Sequence, residues 1–320
     1  MVPPPQECSQ GPGRVRPTGR VLMVRPCCFA YNAETAESNR FQVPALGPEQ
    51  QEIHNRALAE FDGFCEGLEA HGIELDLFHD DPVPHTPDSL FPNNWVSFHE
   101  DGTLILYPLQ AMSRREEIRR DWIANLQEQL GHPWTRTVDL THLWDQAHFL
   151  EGTGSLVLDR DRRIAYAGLS SRTTAPALLA FAKASGYRIH AFRTADASGF
   201  PIYHTNVLFS LGPHYAVLCA DALPDPQERA MLLHALEQSG REVILIDHSQ
   251  MADFAGNQMF LEGKHGNPVI VLSRRALASL DGEQRRRLER HASLLAPALD
   301  TIEVHGGGSA RCMLAEVHLP

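Results

Sequence analysis

No stretch of this 320-residue chain approaches the roughly 18 consecutive apolar residues that a membrane-spanning helix requires. The opening segment, MVPPPQECSQGPGR, also has no apolar core of the kind a secretion signal carries. Cysteine is sparse, at six residues (Cys8, Cys27, Cys28, Cys65, Cys219 and Cys312) with no regular framework. A disulfide-built scaffold is therefore excluded, and a reducing cytosol is the expected location. Positive charge is in short supply. The 28 Lys and Arg against 40 Asp and Glu leave a net charge of −12, which argues against nucleic acid or an anionic membrane as the main partner. The short basic runs RREEIRR (114–120) and RRRLER (285–290) read as solvated helix faces. There is no H-E-x-x-H, no paired C-x-x-C and no other zinc spacing. EGTGS and GGGS are glycine-rich but lack the flanking pattern of a phosphate cradle. No metal and no cofactor is implied.

What the chain does have is an ordinary globular composition, 43% apolar and 21% charged. Residues 1–19, rich in Pro and Gly, read as a flexible tail, and 20–320 as one domain. Inside that domain a unit recurs in the order hairpin, helix, strand. NWVSFHEDGTLILYP (94–108), SLVLDRDRRIAYAG (155–168), NVLFSLGPHYAVLCA (206–220) and NQMFLEGKHGNPVIVLS (257–273) are the four hairpins. Each is followed by a helical pattern and then a strand: near 135–139, YRIHAF, EVILID and TIEVH. The hairpins start at 94, 155, 206 and 257, a period of about 50–60 residues that marks a repeated supersecondary unit. A fifth unit completes itself only if the segment after Cys312 pairs with RVLMVRP (20–26), followed by helix 50–70 and strand IELDLFH. Joining first and last elements is how propeller-like folds protect their sheet edges, so the expected architecture is α/β, a closed ring of five modules.

Equivalent positions of such a ring face one axial cavity. Standing just before the hairpins are Asn94 in FPNN, Glu151 in HFLEGTGS, His204 and Asn206 in YHTN, Asn257, and Cys312 behind GGGSAR. Taken singly, each has a bland reading: one His of 17 is usually structural, a free Cys is usually core, and Asn and Glu often serve turns. Their shared phase is what joins them. Cys, His and Glu from three modules make a nucleophile, an acid/base and a group that orients the imidazole. The Asn side chains add neutral amides, each both donor and acceptor.

These motifs, in this order, resemble the guanidino-group-modifying enzymes: arginine deiminases, dimethylargininases and amidinotransferases. The closest likeness is to the bacterial branch of arginine deiminase-related, citrulline-utilisation hydrolases, with RPCCFAYNAETAESNRF also in character. The resemblance implies a five-bladed α/β propeller over nearly everything after the tail. It implies Cys312 in GGGSARCM as the nucleophile, Glu151 in EGTG as the triad acid and His204 in HTN as the acid/base. FPNN stands where the family has F-x-R-D, which makes Asn93, Asn94 and Asn206 candidate substrate contacts. Arginine deiminases carry aspartate at the positions of Asn94 and Asn206, and Gly154 replaces a third family acid. A guanidinium buried without a carboxylate is strongly disfavoured, whereas a neutral ureido group suits Asn amides. The expected reaction is hydrolysis of a ureido substrate, citrulline to ornithine, ammonia and carbon dioxide, through an S-carbamoyl cysteine, with backbone N–H groups of 306–309 near the developing charge. The guanidino hydrolases and amidinotransferases are the alternative. Arg172, Arg311 and the loop 29–39 are candidates for gripping the amino-acid end of a small-molecule substrate. The reading leaves a homo-oligomer open.

Overall fold

The computed structural model describes residues 15–44 and 49–319. Strand Arg20–Arg25 (β1) runs parallel to Glu74–His79 (β2), with Arg20 opposite Glu74 and Arg25 opposite His79. The helix Gln50–Ala70 forms the crossover and buries Ile53, Ala57, Phe61, Phe64, Cys65 and Leu68, the three- and four-residue spacing of one helical face. Four units follow. Each is an antiparallel pair, one or more helices, and a third strand parallel to the second. They are Val96–Phe98 (β3), Thr103–Leu106 (β4) and Arg136–Asp139 (β5); Val157–Asp159 (β6), Ile164–Leu169 (β7) and Arg188–Arg193 (β8); Phe209–Leu211 (β9), Tyr215–Leu218 (β10) and Glu242–Leu245 (β11); and Met259–Gly263 (β12), Asn267–Val271 (β13) and Ser293–Leu295 (β14). Finally Ala315–Glu316 (β15) pairs antiparallel with β1, Val21 opposite Glu316 and Leu22 opposite Ala315. The result is a mixed α/β chain of five three-stranded sheets.

The middle strands of the sheets are the most apolar, and their sequences say why. LILY and YAVL are buried throughout, while the third strands β5, β8 and β11 show more polar, exposed positions. Buried clusters bridge one sheet to the next. Leu22, Val24 and Ala315 pack with Val96 and Leu106, and Ile105 and Tyr107 with Ala165 and Ala167. Val157 and Tyr166 join Phe209 and Val217, which join Ile270. Val21 and Met23 pack with Leu261, Val269 and Val271, so the fourth unit meets the N-terminal sheet. No described helix is long and apolar enough to cross a membrane.

Two expectations need correction. TIEVH (301–305) is not a strand but part of the helix Asp300–Gly306; β14, SLL, takes the place beside β13. Its five-residue alternation is too short to fix a strand when another segment supplies the ladder. Glu60 of the long helix also caps this one, accepting from Thr301 N at 2.8 and 3.0 Å and Ile302 N at 3.0 Å. As for the tail, residues 1–14 lie outside the described residues, and 15–19 are bonded into the body. Thr18 Oγ1 donates to Val317 O at 2.6 Å, Glu262 N to Thr18 O at 3.0 Å and Val15 N to Asp161 Oδ1 at 2.6 Å.

The β1–β15 seam should be essential to the fold. Deleting 315–320 removes buried Ala315 and Val317, exposes the β1 edge and strips Trp134 Nε1 of its bond to His318 O at 3.0 Å. The expected outcome by circular dichroism melting is insolubility or a fall of roughly 10 °C or more.

Candidate active site

Four of the five hairpins are entered through a single helical turn: Pro92–Asn94, Gly152–Ser155, Thr205–Leu208 and Ala310–Met313. The fourth unit reaches β12 through a tight turn after the helix His248–Ala252. These turns carry the sequence-selected residues, and all are buried: Asn94, Glu151, His204, Asn206, Asn257 and Cys312.

Glu151 and His204 form one pair. His204 Nε2 lies 2.8 Å from Glu151 Oε2, and Glu151 Oε1 accepts the backbone N–H of Gln110 at 3.0 Å. Burial works against the Glu151 charge, but Arg172, His204 and Arg114 outweigh it and hold the carboxyl well below the usual carboxylate range. Burial pushes the His204 imidazole down to about 4 against the opposing pull of Glu151, so the ring is neutral at neutral pH. A neutral ring facing an ionised carboxylate must place its proton on Nε2. That assignment leaves Nδ1 as the free base.

Cys312 and His204 line the same small pocket, together with Thr35, Asn39, Gln42, Asp88, Phe91, Asn94, Arg114, Arg172, Tyr203 and the three glycines 306–308. The Cys312 sulfur accepts from Asn257 Nδ2 at 3.3 Å and Asn206 Nδ2 at 3.6 Å. The glycine turn has a structural reason. Gly307 is left-handed at φ 64°, and a Cβ there would sit 2.5 Å from Asn39 Nδ2. Asn39 and Tyr203 donate to Gly307 O at 3.1 and 2.6 Å, and Gln42 to Gly306 O at 2.9 Å, which ties loop 29–42 to the turn. Gly307 N donates to Glu303 O at 3.1 Å as the helix C-cap, so that amide of the 306–309 turn is already committed.

The sequence missed the charged wall. Arg114, in the run read as a solvated face, is 2% exposed and is gripped by Glu117 at 3.0 and 2.9 Å. Its Nη1 donates to Asn94 Oδ1 at 2.8 Å and lies 3.6 Å from Glu151, while Nε lies 3.7 Å from Asp88. Burial pushes Glu117 up to about 8 and raises Asp88, with Arg114 pulling both the other way. Asp88 Oδ2 accepts from Asn32 Nδ2 at 2.8 Å, and Oδ1 has no hydrogen-bond partner among the described residues. The pocket therefore does contain a carboxylate, contrary to the expectation of neutral amides alone. Asp88 stands six residues before Asn94 in DSLFPNN, a spacing without helical or strand meaning until Pro92–Asn94 turns the chain.

Arg172 lines the pocket as expected, donating to Ser38 Oγ at 2.9 and 2.7 Å and Thr35 O at 2.8 Å, with its guanidinium 4.9 Å from the Tyr203 ring centroid. Arg311 does not. Although next to the nucleophile in sequence, it turns away to Leu314 O at 2.9 Å and Glu316 at 3.3 Å. Asn93 stands behind Asn94, its Oδ1 accepting from Asn94 Nδ2 at 2.9 Å.

The family model described as N,N dimethylarginine dimethylhydrolase, eukaryotic, matches residues 25–319. No curated protein matches the sequence. Among solved structures, the chain is similar to ArgZ, an arginine dihydrolase from the ornithine-ammonia cycle in cyanobacteria, at 19% identity and a TM-score of 0.72 over 94% of this chain. It spans 41% of that protein but 98% of its N-terminal domain, solved as a mutant bound to substrate, with a TM-score of 0.73 at 18% identity. A dimethylarginine dimethylaminohydrolase, solved as an adduct with 4-chloro-2-hydroxymethylpyridine, matches with a TM-score of 0.62 at 13% identity, over 94% of this chain and 99% of that one.

Position 154 tests how tightly the site is set. A Cβ on Gly154 would lie 2.5 Å from Asn94 Nδ2 and 2.8 Å from the His204 ring. Gly154→Ala should leave the far-ultraviolet spectrum intact while lowering turnover by roughly 10²-fold, the effect of displacing catalytic groups by about an ångström. Wild-type turnover in this variant would show that the crowding is relieved without moving either group.

Proposed function

The chain belongs to the family of N,N-dimethylarginine dimethylhydrolases, matched over residues 25–319, and from that premise we propose a cysteine-dependent hydrolase of the terminal C–N bond of an arginine-like amino acid, citrulline above all. Its five units then form the blades of an α/β propeller closed by the β1–β15 seam, which is supported by the buried clusters that run from sheet to sheet and back. A cytosolic location fits the cysteine usage.

The observation that carries the ureido reading is the orientation of Asn94. Its Oδ1 is taken by Arg114, and its Nδ2, after one bond to Asn93, lies on the His204 side of the pocket. The side chain therefore offers an N–H donor, which a ureido oxygen accepts and a guanidinium, made only of donors, does not. The rest of the wall suits an α-amino acid. Asp88 Oδ1 is a counter-charge for an ammonium, and Arg172 for a carboxylate.

The chemistry follows from the tautomer. His204 Nδ1 takes the Cys312 proton, and the thiolate attacks the ureido carbon. The C–N bond to the ornithine amine breaks as His204 returns the proton to that nitrogen, leaving Cys312 S-carbamoylated. His204 then takes a proton from water, whose oxygen attacks the same carbon. The thiol is released together with carbamate, which decomposes to ammonia and carbon dioxide.

A guanidino substrate is the second reading, favoured by Asp88, since a buried carboxylate meets the need that the amides do not. ArgZ, described as an arginine dihydrolase, points the same way. Product analysis with citrulline and arginine side by side separates the two. For citrulline hydrolysis, ornithine and ammonia should appear, and Cys312→Ser should abolish both. The double change Asn94→Asp with Asn206→Asp should lower kcat/KM for citrulline by roughly tenfold or more, since acceptor-only groups would face its carbonyl. A wild-type preference for arginine would overturn the ureido reading and leave the hydrolase standing.

A further inference from the structure

Asn257 is the fourth unit's residue at the site, and no step of the reaction above uses it. It is fully buried, at the end of a turn that is fixed from several directions. Asn257 N donates to Phe254 O at 2.8 Å, and Gln258 Nε2 to Ala255 O at 2.6 Å. Gly256 lies so close to the third unit that a Cβ there would fall 2.4 Å from Val207 O.

The orientation of its amide is not free. Oδ1 accepts the backbone N–H of Arg311 at 3.0 Å, and a backbone N–H can only donate. Nδ2 must therefore be the atom facing Asn206 O at 3.0 Å and Cys312 Sγ at 3.3 Å. Both of those are acceptors, and the two N–H bonds of Nδ2 are spent on them. Asn206 differs in this respect. Its Nδ2 also reaches the sulfur, at 3.6 Å, but its Oδ1 has no hydrogen-bond partner among the described residues, so that amide can turn toward a substrate.

We propose that Asn257 is the positioning residue of the nucleophile. It locks the Arg311–Cys312 backbone to the third unit and holds a fixed N–H donor against the sulfur, poising it for attack, while Asn206 is left to meet substrate. The proposal rests on Cys312 being the nucleophile, but not on which substrate is hydrolysed. Binding should be affected little, because Asn257 does not line the pocket, whereas the reactivity of the sulfur should depend on it directly.

Asn257→Asp is the informative variant. It keeps the shape and an oxygen for Arg311 N, but replaces the donor facing the sulfur with a charged acceptor. The probe is iodoacetamide on the full chain, with the rate of labelling at Cys312 followed by peptide mass mapping across a pH series. Burial pushes Cys65 up to about 12 and Cys219 up to about 11, so both are slow internal references. The expected result is labelling of Cys312 slowed by roughly tenfold to a hundredfold at neutral pH, the range of a hydrogen bond to a charged group, with the profile moved to higher pH. In turnover, kcat should fall by a similar factor while KM changes little. Should the buried carboxylate prevent folding, Asn257→Ser, which removes the donor without adding charge, decides the matter by the same measurements. A folded variant that labels at the wild-type rate with the wild-type pH profile overturns the positioning role and leaves Cys312 as the nucleophile. If Cys312 in the wild type labels no faster than Cys65 and Cys219, the nucleophile assignment itself falls, and this role with it.

Discussion

The site depends on keeping one carboxylate ionised in a place that water does not reach. Glu151 is fully buried, and an isolated charge there would be prohibitively unstable. It survives because Arg114 and Arg172 approach at 3.6 and 3.5 Å, and because Gln110 N and His204 bond its two oxygens. With that charge in place, the proton of His204 is assigned to Nε2 and the base to Nδ1. Removing either arginine would leave a buried charge short of its partner, a worse state than never having buried it. The electrostatics thus extend well beyond the catalytic three, to a set of two arginines and three carboxylates on the pocket wall.

That set has consequences for what can enter. Arg114 is shared among Glu117, Asp88, Glu151 and the oxygen of Asn94, so a residue away from the reacting atoms decides which face of the Asn94 amide the ligand meets. Asp88 is the member of the set with an oxygen to spare. Burial raises both Asp88 and Glu117, so charge in this wall is balanced narrowly, and a ligand carrying its own ammonium and carboxylate would complete it.

Most of the fold was legible in the chain because it is repeated. Alternation in NWVSFHEDGTLILYP, SLVLDRDRRIAYAG and NVLFSLGPHYAVLCA, followed each time by a helical period, leaves little freedom in assigning elements, and agreement among units corrects local ambiguity. The exception, TIEVH, lies where the fourth unit hands over to the fifth and the repeat gives no second copy for comparison. The triad candidates were legible for the same reason: Glu151, His204 and Cys312 stand at equivalent places in three units, and equivalent places face one cavity.

What the sequence by itself determined was therefore the modules, their order and the residues at hairpin entries, all local properties carried by periods of 2 and 3.6 residues. Tertiary structure decided the rest, because long polar side chains have no period. Arg114 looked like its neighbour Arg115 in RREEIRR, yet it is buried between Glu117 and Asn94, while Arg311, adjacent to the nucleophile, points away to Glu316. Asp88 became a pocket residue only when Pro92–Asn94 turned the chain, and Asn257 acquired a fixed amide only when Arg311 N, 54 residues away, arrived to donate to it. Charge and hydrogen-bond partners are chosen by distance in space, and distance in space is what a chain acquires by folding.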